Sequence, residues 1–234
     1  MKRSCVVFLV CWLVCILAVF LPRPIDAEGL PDSFVQVDEV IPGIVVDLRY
    51  FTDNNFMGRR VTGYEAPKCI LTKAAAEALK GVQEDLNRFG LGLKIFDAYR
   101  PQRAVADFVR WGKDLGDTKM QKDFYPNVRK ADLFKEGYIA ERSSHTRGST
   151  VDVTVVCLDK ETFGKELDMG TQFDFFGPEA WPDSPLVSPA QRAHRMLLHE
   201  LMRKHGFEPY PKEWWHFTLK NEPFPNTYFD LPIQ

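Results

Sequence analysis

The run from Val151 to Leu158 sets one aspartate, Asp152, among β-branched and apolar residues. Such a run reads as a buried strand, so the chain must carry a carboxylate into its interior. An ionised carboxylate packed among Val151, Val153 and Val155 is costly unless a cation or strong donors meet it. Seven residues earlier, His145 stands before a glycine turn in Ser143-Ser144-His145-Thr146-Arg147-Gly148. Imidazole plus carboxylate suits Zn²⁺. The same segment also reads as a surface histidine and an aspartate bonded to backbone amides. Taken alone it leaves both readings open.

A second segment is Glu213-Trp214-Trp215-His216-Phe217. His216 sits among large aromatic residues at the mouth of an expected strand, where an imidazole ligand is at home. Positions three apart in a strand face opposite ways, so Glu213 must occupy the turn after Pro211 if it is to share a site with His216. The competing view is an aromatic core strand with a capping glutamate. Together the two segments offer two histidines, an aspartate and a spare glutamate. Three protein ligands with one open position describe a catalytic zinc, and the glutamate supplies a general base and acid. His199-Glu200 resembles HExxH, but Arg203 stands where the second histidine is needed. His194, His199 and His205 are therefore expected at the surface or the end of a helix. Arg100, in Asp97-Ala98-Tyr99-Arg100-Pro101, occupies a constrained turn. It suits either an oxyanion-stabilising guanidinium or a salt bridge to Asp97.

The start of the chain is set aside from the fold. Lys2 and Arg3 precede a charge-free apolar run from Cys5 to Leu21, and Ala27 offers a small residue for cleavage. Residues 1–27 are expected to be a signal peptide, with an uncleaved anchor as the alternative. Export, to a periplasm or the medium, follows, with membrane association only if the leader stays. Residues 28–234 are long enough for one domain with a real core. The net charge is −2, and no basic run interleaves with aromatic residues, so a nucleic-acid partner is not expected. Cys69 and Cys157 remain after the leader. They read equally as a disulfide of an oxidising compartment or as two buried thiols, and neither lies in a CxxC.

Strands are expected at Val45–Tyr50, Leu93–Phe96, Val151–Leu158 and Trp214–Leu219. Helices are expected at Lys73–Arg88, capped by Thr72 and ended by Gly90 and Gly92, from Pro101 onward, and from Ser188-Pro189 to about His205. Gly112 to Ser144 reads as irregular with a short helix, and Lys160 to Ser188 as a long loop of the kind that often carries function. Helices alternate with separated strands and no glycine-rich phosphate loop appears. The expected fold is α+β: a small, mainly antiparallel sheet flanked by helices, with the zinc site at the sheet.

Ser143-x-His145-x-x-Gly148-x-x-x-Asp152 with Glu213-Trp214-Trp215-His216 resembles the D-alanyl-D-alanine dipeptidases of vancomycin-resistance type, within the zinc DD-peptidases. The likeness runs from about Val45 to the C-terminus and includes the tail Glu222-Pro223-Phe224-Pro225-Asn226-Thr227-Tyr228-Phe229-Asp230. The resemblance implies one Zn²⁺ per chain held by His145, Asp152 and His216, Glu213 as catalytic base and Arg100 as transition-state stabiliser. It implies Tyr50, Ser143 and Asp174 around the free ammonium of a small dipeptide. A D,D-carboxypeptidase acting on cell-wall peptides and a non-enzymatic zinc-stabilised binding domain are the alternatives. Familiar members of the group work in the cytoplasm, and the leader expected here departs from that.

Overall fold

The computed structural model describes residues 31–234, so the leader expected over residues 1–27 lies outside the described residues. The chain runs β1 (Phe34–Gln36), α1 (Val37–Val40), β2 (Val45–Val46), β3 (Ile70–Thr72), α2 (Lys73–Asn87) and β4 (Leu91–Asp97). It continues with α3 (Gln102–Lys113), α4 (Gln121–Phe124), β5 (Thr150–Cys157), α5 (Pro189–Lys204), β6 (Phe207–Pro209) and β7 (His216–Leu219). Five strands form one sheet in the order β2-β4-β5-β7-β6, while β1 and β3 pair separately. Only β2 against β4 is parallel; the other pairs of the large sheet are antiparallel. The α+β expectation, with a small and mainly antiparallel sheet, holds.

Local chemistry accounts for the principal helices. In α2, the Thr72 hydroxyl accepts from the Ala75 N–H, and Ala75, Leu79, Val82 and Leu86 form a fully buried stripe. In α5, Ser188 and Gln191 satisfy each other's backbone amides in a capping box, with Pro189 at the first helical position. The α2 helix packs on β4, α5 packs on β6, and the two helices touch. Val151, Val153 and Val155 are fully buried on one face of β5, while Asp152 shares the opposite face with Thr150 and Thr154. The aspartate is thus set on the face turned away from the valines.

Two elements are shorter than expected. The strand expected at Val45–Tyr50 stops at Val46 and turns into a 3-10 turn over Arg49–Phe51. That turn drives the Tyr50 ring among Phe56, Tyr64, Phe108 and Phe173, with centroids 5.0–6.0 Å away. Likewise, Trp214 and Trp215 lie in the turn before β7 rather than in the strand. Gly90, at φ 68°, ends α2, but Gly92 belongs to β4, where a Cβ would stand 2.7 Å from Gln83 Nε2. The expected long loop is present, running from Leu158 to Ser188 with one 3-10 turn at Pro178–Ala180. Cys69 and Cys157 are both free thiols. Among the described residues, no helix is long and apolar enough to cross a membrane.

The C-terminal tail folds back over the start of β5. The Phe229 N–H donates to Thr146 O at 3.0 Å, and Tyr99 OH donates to Leu231 O at 3.0 Å. Phe34 packs against Tyr99, Phe224 and Phe229, which presses β1 onto the same corner. Gly148 lies directly beneath: its φ is 82°, and a Cβ would come within 2.2 Å of the Phe34 ring. Gly148→Ala is therefore expected to lower stability by about 1–3 kcal/mol, from overpacking and an unfavourable backbone. Chemical denaturation measures this, and an unchanged midpoint would contradict the packing described.

Candidate active site

The sheet register builds the centre of the site. Asp97 on β4, Asp152 on β5 and His216 on β7 are directly paired across three adjacent strands. A bulge between Ile95 and Asp97 brings Asp97 opposite Asp152. His145 arrives from the 3-10 turn Ser144–Arg147, capped by the Ser143 hydroxyl and closed by Gly148 in the left-handed region.

His145 Nδ1 lies 2.7 Å from Ala98 O, so this nitrogen carries the proton and Nε2 keeps its lone pair. That Nε2 lies 3.2 Å from Asp152 Oδ2 and 3.3 Å from His216 Nδ1. His216 Nδ1 lies 3.1 Å from Asp152 Oδ1, and its Nε2 is 3.2 Å from the Ser144 hydroxyl. One ligand atom from each of the three residues falls within 4.8 Å of the others. Asp152 Oδ1 is fully buried yet receives no well-directed hydrogen bond. An unsatisfied, buried Asp152 oxygen beside two imidazole nitrogens fits a shared cation, and two imidazoles with a carboxylate match the ligand chemistry of zinc. Burial opposes the Asp152 charge, but His145 and His216 outweigh it and hold the carboxyl below its ordinary range. Burial also lowers His145, which favours the neutral imidazole a metal requires.

Glu213 sits in the turn before β7, as its spacing from His216 requires, and Glu213 Oε2 lies 3.4 Å from His216 Nδ1. Burial raises its carboxyl above the ordinary range. Arg100 follows the bulged end of β4. Its Nε and Nη2 reach Asp97 Oδ2 at 2.9 and 2.8 Å, and Nη2 lies 3.5 Å from Asp152 Oδ2. Its Nη1 lies 3.4 Å from the Ser143 hydroxyl, and its Cζ stands 5.0 Å from the Tyr50 ring. Arg100 is thus salt-bridged to Asp97 and also lines the cavity.

Tyr50 OH donates to Asp174 at 2.8 Å, across a separation of 124 residues. Asp174 comes from the long loop, is buried, and has φ 61°, rare for a residue other than glycine. Burial pushes its carboxyl well above the ordinary range, with the charge of Asp152 adding to the effect. Such an acid regains its charge when a cation arrives. Tyr50, Arg100, Ser143, Asp152, Asp174, Glu213 and His216 all line one cavity of about 500 Å³; His145 lies behind it, fully buried.

The residues from 31 to 234 match the model of a family described as D-Ala-D-Ala dipeptidase. The chain belongs to that family. Three relatives, each named D-alanyl-D-alanine dipeptidase, match most of the chain. The protein from Streptomyces coelicolor is 44% identical over 86% of this chain and 98% of its own. That from Enterococcus faecalis is 38% identical over 87% and 100%, and that from Escherichia coli K12 is 31% identical over 80% and 84%. Membership makes the chain a metallopeptidase.

Two side chains that position the site gave little sequence signal. Asp97 was visible only as a salt-bridge partner of Arg100, yet it also accepts from Tyr64 OH at 2.7 Å and lies 3.5 Å from His145 Nδ1. His199 is not a surface histidine: it is buried, its Nε2 lies 3.1 Å from Trp214 O, and it packs on Phe217. Its position on the inner face of α5, beside the buried Leu198 and Met202, explains the difference. His194 and His205 do sit toward the surface, the latter 2.7 Å from Asp85 at the helix end.

Asp97→Ala should leave the Arg100 guanidinium buried without its main partner. A loss of about 3–5 kcal/mol is expected, the usual cost of breaking a buried pair. Thermal and denaturant unfolding test this, and a loss under about 1 kcal/mol would mean that Arg100 is held by other contacts.

Proposed function

We propose that this protein hydrolyses D-Ala-D-Ala, and similar small D,D-dipeptides, to free D-alanine in a zinc-dependent reaction outside the cytoplasm. The observation that carries the reading is the shared cavity, onto which both the Asp152–His216 side of the three-residue cluster and the buried Tyr50–Asp174 pair open. A zinc ion held by those three residues, one per chain, supplies Lewis acidity toward a carbonyl oxygen and makes water more acidic.

The remaining steps belong to the chain's own groups. The Asp174 carboxylate, with Tyr50 bonded to it and Ser143 lining the same cavity, receives the free ammonium of the dipeptide. An N-blocked peptide brings no cation there and must desolvate Asp174 without compensation, which selects against it. Glu213 takes a proton from the attacking water as its oxygen bonds to the peptide carbon. Arg100, whose Nη1 is not engaged by Asp97, stabilises the negative charge that develops on the carbonyl oxygen. As the carbon–nitrogen bond breaks, Glu213 passes the proton to the leaving D-alanine amine. Its carboxyl is raised by burial, which suits a group that must hold a proton and then release it.

The location rests on the basic start and apolar run of the leader sequence. Scavenging of dipeptide from wall material outside the cytoplasm fits that location better than clearing a cytoplasmic pool.

D-Alanine release from D-Ala-D-Ala and from its N-acetyl form, with and without a chelator, tests the reading. Chelator-sensitive release from the free dipeptide alone is expected. Equal release from the blocked form would point to a carboxypeptidase, and release from neither would leave a binding domain. Glu213→Ala should retain zinc by elemental analysis while turnover falls by roughly a hundredfold to ten-thousandfold, the usual scale for a lost acid–base group. His145→Ala should lose zinc. Wild-type rates in the first variant or unchanged metal in the second would remove those residues from their roles.

A further inference from the structure

Three arginines line the active-site cavity, and their partners differ. Arg100 is bound to Asp97 and approaches Asp152. Arg147 grips Glu222 with Nε and Nη2 at 2.8–2.9 Å. Arg142 has no carboxylate partner among the described residues; its Cζ stands 5.2 Å from the Tyr228 ring, and Arg147 Cζ stands 5.8 Å from the same ring. Among the described residues, the cavity thus presents one cation, Arg142, whose charge no carboxylate balances, beside Arg147, whose charge is balanced.

We infer that Arg142 receives the free carboxylate of the dipeptide's second residue, and so sets specificity for an unblocked C-terminus. The inference rests on the dipeptidase reading. A dipeptide at neutral pH carries an ammonium at one end and a carboxylate at the other, and two residues span at most about 7 Å. The buried acid for the ammonium is Asp174, which is bonded to Tyr50, and the Tyr50 ring lies against Arg100. Arg100 Nη1 also approaches Ser143, and Arg142 is the residue before Ser143. Asp174, Arg100 and Arg142 therefore line one cavity, with Arg100 where the peptide carbonyl must lie to be stabilised. A guanidinium presents paired N–H donors that match a carboxylate, and the Tyr228 face helps to hold that plane in place. Arg147, fixed by Glu222, stands against the same Tyr228 ring with its own charge already balanced.

The test compares the wild type, Arg142→Gln and Arg142→Lys on D-Ala-D-Ala and on D-alanyl-D-alaninamide, whose C-terminus carries no charge. The wild type should favour the acid over the amide. Arg142→Gln should lose roughly tenfold to a hundredfold in kcat/KM on the acid, the scale of a charge-assisted contact, mainly through KM. Its preference for acid over amide should collapse toward unity, while Arg142→Lys keeps part of it. If Arg142→Gln retains the wild-type preference, the inference is overturned although the dipeptidase reading stands. If the wild type cleaves neither compound, the dipeptidase reading fails and the inference with it. Zinc content and melting temperature, followed in each variant, separate a lost contact from a lost fold.

Discussion

The buried Asp152 carboxylate is the constraint to which the rest of the molecule answers. Asp97 faces it across one strand pair, so two acids stand side by side on the sheet, both almost wholly out of water. Like charges at such a place require cations or strong donors, and the surrounding chain supplies them from every direction. Arg100 touches both acids, the two imidazoles close over Asp152, and Tyr64 donates to Asp97. Each donor needs its own support: a carbonyl for His145 Nδ1, aromatic rings around Arg100, the Ser144 hydroxyl for His216. The bulge in β4, the capped turn before Gly148 and the tail folded over Thr146 are means of meeting that one requirement.

The two parts of the cavity have different supports. The His145–Asp152–His216 cluster, Arg100 and Glu213 stand on strands and on turns joined to them, which hold position well. Asp174 instead comes from the long loop, and the molecule stiffens that loop with a buried arginine. Arg195 is 1% exposed and donates to Met169 O, Trp181 O and Glu179 O, clamping both sides of the segment that carries Asp174. Phe173, next to Asp174, stacks on Phe96 and packs edge-on against Trp215, tying the loop to the site end of the sheet. A loop held this firmly can keep a non-glycine residue at positive φ.

Much of this was legible in the sequence because it depends on short-range pattern. The β-branched run around Asp152, the helical stripe of α2, the Ser188-Pro189 start of α5 and the turn placement of Glu213 follow from spacing and capping chemistry. Relations between distant segments were not legible. No local signal places Tyr50 against Asp174, and the strand-like run before Tyr50 pointed to a longer edge strand than forms. The bulge that aligns Asp97 with Asp152 is likewise a property of two strands paired, visible in neither alone. His199 is buried where the sequence suggests the surface, because the face a helix buries depends on what it packs against and the spacing of the histidines singles none of them out.

The order of the strands also bears on when the site comes into being. The β5 strand lies between β4 and β7, and its partners come from residues 91–97 and 216–219, on either side of it in the chain. Contacts of such long range form late, because a long loop must close before they stabilise anything. No local segment can hold the three-residue cluster in advance, so the nascent or unfolded chain has no preformed place for an ion. The cluster is thus complete only when the last strand docks, and a chain arrested before that has neither His216 in place nor the register that aims Asp152.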